Sequence, residues 1–299
     1  MPLNRRGFLR GMFAAAGVVA VGTPALAQQD DRRFDGYSQM LDITSRENSQ
    51  YLLLFDTNHM NRAMPTYSLE RGALDVAQKN GIKNVFIEFP REFQPLIDAR
   101  ASGKISHSAF IREVSDTYES YGFQEASRLK RGVEVVSMQD DIAMIIDEKA
   151  ERIYLNRLSR GIEDAAQRGI RVVGADSGDF INKDRMNYDG QVADYIAQVA
   201  HGQKSVVTYG VLHGGDSKGA GLDDELRQRG GVTIAELQDN ARSVRGPVGE
   251  MLAGVRELMG SLSDRASYRL NIDSGALTRH NDGVHKVALN TRNRASLAP

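Results

Sequence analysis

The feature that most restricts the fold is the recurrence of short, continuous apolar runs at Tyr51–Phe55, Asn84–Phe89, Val133–Ser137, Ile170–Ala175, Ser205–Gly210 and Val232–Glu236. A strand with one wet face alternates apolar and polar residues, whereas an unbroken run suits a strand covered on both faces. Between the runs lie helical patterns at 66–80, 91–102, 106–131, 141–168, 188–202 and 221–229, and Gly81, Gly132, Gly169 and Gly230 stand where several of them stop. This alternation predicts a single α/β domain: a mainly parallel sheet of about six strands with helices on both faces. A further apolar stripe, Met251, Leu252, Val255, Leu258, Met259 and Leu262, predicts a helix over 248–262 that packs on the sheet, with a lid over a site as the alternative.

The first 27 residues stand outside that pattern. They have a basic start, an apolar run too short to span a bilayer, and the small-residue end Ala25-Leu26-Ala27, which is the form of an export signal. Arg5-Arg6 followed by Gly7-Phe8-Leu9-Arg10 matches the twin-arginine type. The expected organisation is therefore a signal peptide at 1–27, the α/β domain at 28–272 and a polar tail at 273–299 rich in Ser, Arg, Asn and Thr. The expected location is the periplasm, with the twin-arginine translocase as a partner during export and no stable membrane span after cleavage. That route carries proteins already folded, which favours a bound prosthetic group.

Loss of Arg5, Arg6 and Arg10 takes the formal charge from −1 to −4, so no basic field is available to gather nucleic acid. The absence of cysteine excludes disulfides, thiolate metal sites and a cysteine nucleophile.

Loops leaving the carboxyl ends of parallel strands converge on one rim, and ligands bind there. Here those exits are polar: Asp56-Thr57-Asn58-His59, Glu88 within NVFIEFP, Gln139-Asp140-Asp141, Asp176-Ser177-Gly178-Asp179, and His213 with Asp216. Asp140 and Asp141 precede a helix and read as N-caps. Asp176 and Asp179 read as turn formers. Glu88, between Ile87 and Phe89, is a carboxylate at the end of a buried strand and calls for a partner. His59 and His213 on other strand exits make a shared site with it. The phosphate-loop, dinucleotide, serine-elbow and H-E-x-x-H patterns are all missing, and His280 and His285 read as solvated.

The elements DTNH, IEFP, KDRMNYDGQVADYI and YGVLHGGDSKGAGL, in that order over about residues 50–235, resemble the superfamily of erythromycin esterase-type, ChaN-type haem-binding and Tiki/TraB-type proteins. The chain departs from the esterase element Gly-Glu-x-x-His by carrying Phe55 and Asp56, while keeping the spacing to His59. The resemblance implies a hydrolase acting on a small-molecule or peptide substrate, with His59, Glu88, His213, Asp56 and Arg185 as catalytic residues. In the esterase-like form His59 is the general base on water, Glu88 or Asp56 orients its ring, and His213 and Arg185 stabilise the oxyanion. In the Tiki-like form His59, Glu88 and His213 hold a divalent metal, Mn, Co or Zn, that activates the water. The ChaN-like alternative is a binding protein that holds haem through a histidine or a phenol such as Tyr67, Tyr118 or Tyr121, without turnover. A third alternative is an interaction protein that has kept the fold and lost the chemistry.

Overall fold

The computed structural model describes residues 36–56, 64–117, 148–176, 185–210, 213–214, 221–238, 266–271 and 276–279. Strands β1 (Tyr51–Asp56), β2 (Asn84–Pro90), β3 (Arg171–Asp176), β4 (Ser205–Gly210), β5 (Val232–Gln238), β6 (Tyr268–Asn271) and β7 (Ala276–Arg279) form one sheet in the order β3-β2-β4-β1-β5-β6-β7. Every pairing from β3 across to β6 is parallel, and β7 closes the edge antiparallel to β6. The helices are α1 (residues 36–44), α2 (Arg71–Lys79), α3 (Gln94–Ala101), α4 (residues 107–117), α5 (Glu148–Gln167), α6 (Arg185–Ala200) and α7 (Leu222–Arg227).

The unbroken apolar runs have the expected cause. Along β1, Leu52 and Leu54 pack with Val85, Ile87 and Val206 beneath α1 to α5. Tyr51, Leu53 and Phe55 pack with Phe86, Val207 and Tyr209 beneath α6 and α7. Strand side chains alternate between faces, so only a sheet covered on both sides makes every residue of β1 apolar up to Asp56. Full burial of each such side chain favours folding by about 1.5–3 kcal/mol.

The expected strands at 51–55, 84–89, 170–175, 205–210 and 232–236 are all in place. The run at 133–137 lies outside the described residues, as do Asp140, Asp141 and the stripe at 248–262. The sixth parallel strand is instead β6, and β7 falls within the segment read as a polar tail. In β6 only Tyr268 and Leu270 are buried, so it lacks the continuous apolar signature of the central strands. The pattern at 66–80 forms a 3-10 turn at Met64–Leu69 and then α2, because Glu70 takes an extended backbone (φ −73, ψ 148) that interrupts helix propagation. Gly81 and Gly169 follow α2 and α5 with φ of 72 and 66, left-handed angles that glycine adopts without a Cβ clash. Among the described residues, no helix is long and apolar enough to cross a membrane.

Candidate active site

Glu88 reaches its position through an irregularity in β2. Ile87 is in register with Gly174 and Pro90 with Asp176, so β2 carries one more residue than β3 over that stretch. Such a bulge bends a strand and re-aims a side chain. The neighbouring strand accommodates it with glycine: a Cβ on Gly174 would stand 2.8 Å from the Phe89 carbonyl oxygen and 3.0 Å from that of Pro90. Gln94, from α3, ties the same place to the sheet, accepting the Gly174 N–H at 2.9 Å and donating to the Val172 carbonyl at 3.1 Å.

The bulged carboxylate meets the end of β4. Glu88 Oε2 accepts the Gly210 N–H at 2.7 Å, and Glu88 Oε1 lies 3.4 Å from His213 Nε2. The other ring nitrogen, His213 Nδ1, is 2.7 Å from Asp189 Oδ1. Asp189 comes from the early part of α6 and its side chain is only 5% exposed. The rings of Tyr209 and Tyr188 flank the imidazole at 5.2 and 5.7 Å. His213, three residues beyond the end of β4, is thus fixed by a strand end, a helix and two aromatic rings.

Electrostatics fix its charge. Burial alone would lower the His213 pKa, but the Glu88 charge and the hydrogen bonds to Asp189 and Glu88 outweigh it and raise the value from 6.5 to about 10. At neutral pH the ring is therefore an imidazolium between two carboxylates. At 3.4 Å the Nε2 contact to Glu88 is longer than the 2.7 Å contact at Nδ1.

Asp56 is fully buried at the end of β1, in register with Gly210. Tyr154, from α5, senses both acids: burial foremost, then the charges of Glu88 and Asp56, push its phenol well above the usual tyrosine range. It is a protonated hydroxyl at the same rim. Tyr209 is likewise held protonated by burial, with Asp176, Glu88 and Asp189 adding to the effect and Arg91 opposing it.

Of the residues singled out from sequence, the structure brings together Glu88 and His213, with Asp56 on the strand beside them. Asp176 ends β3 on the far side of β2. Arg185 begins α6, the helix that supplies Asp189, but its side chain lies outside the described residues, as do His59, Asp179 and Asp216. Asp189 and Tyr154 were not anticipated. Each sits within a helical pattern where nothing in the sequence tells which side faces the rim.

Among the described residues, no group of three or more His, Cys, Asp or Glu is arranged to hold a metal ion. The donor pair itself fits one: two ligands at about 2.1 Å from a tetrahedral ion stand about 3.4 Å apart, the separation of His213 Nε2 from Glu88 Oε1 being 3.4 Å. Asp189 on Nδ1 is the partner that orients a metal-binding imidazole.

No protein-family model matches the chain. No curated protein matches it. Its structure is similar to that of the type III effector HopBA1, at 17% identity and a TM-score of 0.42, over 78% of this chain and 85% of that one. It is also similar to RRSP, a MARTX toxin effector domain from Vibrio vulnificus CMCP6, at 16% identity and a TM-score of 0.38, over 73% of this chain and 46% of that one.

Proposed function

We propose that the protein is an exported hydrolase of the erythromycin esterase, ChaN and Tiki/TraB-like type, which activates water at the carboxyl ends of β2 and β4. The observation that carries this reading is the His213 imidazole held by Glu88 at one nitrogen and by Asp189 at the other, on the rim where open α/β sheets bind ligands. An ordinary surface histidine has no reason to draw one carboxylate out of a core strand and bury another in a helix.

In the metal-free form, His59 takes the proton of the attacking water and Asp56 orients it. His213, as imidazolium, offers Nε2–H to the oxygen on which charge develops, with Arg185 in support. Asp189 holds Nδ1–H and so keeps the ring turned toward the reaction. The Gly210 N–H keeps Glu88 from swinging away. If the site takes a divalent ion, Mn, Co or Zn, then His213, Glu88 and His59 hold it and it supplies an activated water at neutral pH.

The haem-binding alternative has less support, since Tyr67 is fully buried and offers no phenol at the surface. Tyr118 and Tyr121 lie outside the described residues.

The test is turnover of a panel of esters, lactones, peptides and phosphoesters by the exported form, with Glu88→Gln and His213→Asn proteins beside it. Loss of turnover in both variants, each still folded at the assay temperature, supports the hydrolase. An unaltered rate in either one sinks it. Elemental analysis of chelator-free protein separates the metal-assisted from the metal-free form, and a haem spectrum in the purified protein would decide for the carrier. N-terminal sequencing of the periplasmic form should begin at Gln28.

A further inference from the structure

Arg91 follows Pro90 at the end of β2, three residues beyond Glu88. Its Nε donates weakly to the Asp176 carbonyl at 3.4 Å, and its guanidinium carbon lies 4.6 Å from the ring centre of Tyr195 on α6. Its Nη2 is buried and makes no hydrogen bond, and among the described residues the side chain forms no ion pair. A guanidinium that buries one N–H group without a hydrogen bond or an ion pair is suited to an anion that completes it.

Its surroundings tie it to the reactive rim. Tyr209 packs its ring against His213, and its buried hydroxyl, also without a hydrogen-bond partner, feels the Arg91 charge. Tyr188 stands beside His213 and Tyr195 beneath Arg91 on the same helix. Seven residues of helix span about 10 Å, which sets the scale of the separation between the imidazole and the guanidinium. The nearby acids do not fill the role: Glu88 and Asp189 are committed to His213 and Gly210, and Asp176, whose charge also reaches Tyr209, gives Arg91 its backbone carbonyl and no ion pair.

We infer that Arg91 is a specificity-determining residue that anchors an oxyanion group of the substrate, a carboxylate or a phosphate, within about 10 Å of the bond presented to His213. The planar guanidinium suits both groups, which it can bind through paired N–H donors. As a statement about substrate this rests on the hydrolase reading; as a statement about anion binding it does not.

The test is calorimetric titration of the purified full chain at neutral pH, in chloride-free buffer, with inorganic phosphate and separately with acetate. Saturable binding of either probe to the wild type, about tenfold or more weaker in both Arg91→Met and Arg91→Gln, is the expected result. Phosphate alone assigns a phosphoryl-bearing substrate and acetate alone a carboxylate-bearing one. No saturable binding by the wild type, or equal binding by the Arg91→Gln protein, overturns the inference. Melting curves check that the variants fold. Should neither neutral variant fold, the side-chain Nε resonance of Arg91, assigned with Arg91→Lys, must shift on phosphate addition, and a static resonance overturns it. A His213→Asn protein should bind both probes within about twofold of wild type, since it leaves the guanidinium in place. Binding that survives there while no protein turns over any substrate would sink the hydrolase and leave the anchor standing.

Discussion

His213 and His107 each have both ring nitrogens engaged, yet the partners differ in kind. His213 stands between the carboxylates of Glu88 and Asp189. His107, at the start of α4, has Nδ1 2.9 Å from the Ser159 hydroxyl and Nε2 2.7 Å from Asn156 Oδ1, both neutral groups on α5. Because the amide oxygen can only accept, Nε2 carries the proton of His107 and Nδ1 receives the Ser159 hydroxyl. That hydroxyl also accepts from Arg100 Nε at 3.0 Å, and Arg100 pairs with Glu163. Ser159 is fully buried, so what resembles a nucleophile and its base is a clamp that joins α3, α4 and α5. The same residue type is held by neutral partners in one place and by two acids in the other.

The comparison is broken or sharpened most strongly by activity. Glu88→Gln is expected to lower turnover by about 10²–10⁴-fold in a protein that still folds, whereas Ser159→Ala should leave turnover at the wild-type level. A Ser159→Ala protein with the larger loss of turnover would reverse the assignment of the two histidines.

Stability responds as well. Ser159→Ala strands the buried Arg100 Nε and the His107 ring, for a loss of about 1–3 kcal/mol in denaturant unfolding. Gly174→Ala stands between them: its Cβ would press on the carbonyls of the β2 bulge, costing about 1–3 kcal/mol and shifting Glu88. It should lower stability and turnover together, and an unaffected rate would mean that the bulge does not aim Glu88.

The last effect is one of pH. His213 binds its proton more tightly in the folded protein, at about 10 against an ordinary 6.5, so its contribution to stability is complete below pH 6.5 and is lost as the pH rises through about 10. Asp189→Asn removes one of the two acids, so it should bring the ring's titration down and flatten that slope, as read by nitrogen chemical shifts of the imidazole. A slope unchanged in Asp189→Asn would remove Asp189 from the set of groups that hold the proton.

Much of the sheet was legible because burial on both faces writes itself into the sequence as unbroken apolar runs, as in YLLLF and SVVTYG. Glu88 was legible for the same reason: a lone carboxylate at the end of such a run stands out. Strands β6 and β7 were not, because an edge position asks little of composition, and Tyr268-Arg269-Leu270-Asn271 becomes a strand through pairing with β5. Asp189 was hidden since a polar residue in an amphipathic helix reads as solvent-facing until the helix is docked and its rotation set. Arg91 looked like an ordinary residue at the start of a helix.

By itself, then, the sequence determined the alternation of strands and helices, the two covered faces of the sheet, and the rim on which Asp56, Glu88 and His213 gather, since these follow from local periodicity and from the expense of burying charge. Only the tertiary structure decided the order of the strands, the bulge that turns Glu88 toward His213, the choice of Asp189 as the second acid and the guanidinium of Arg91, which forms no ion pair among the described residues. These depend on contacts between segments far apart in the chain, and no local pattern of residues records which segments will meet.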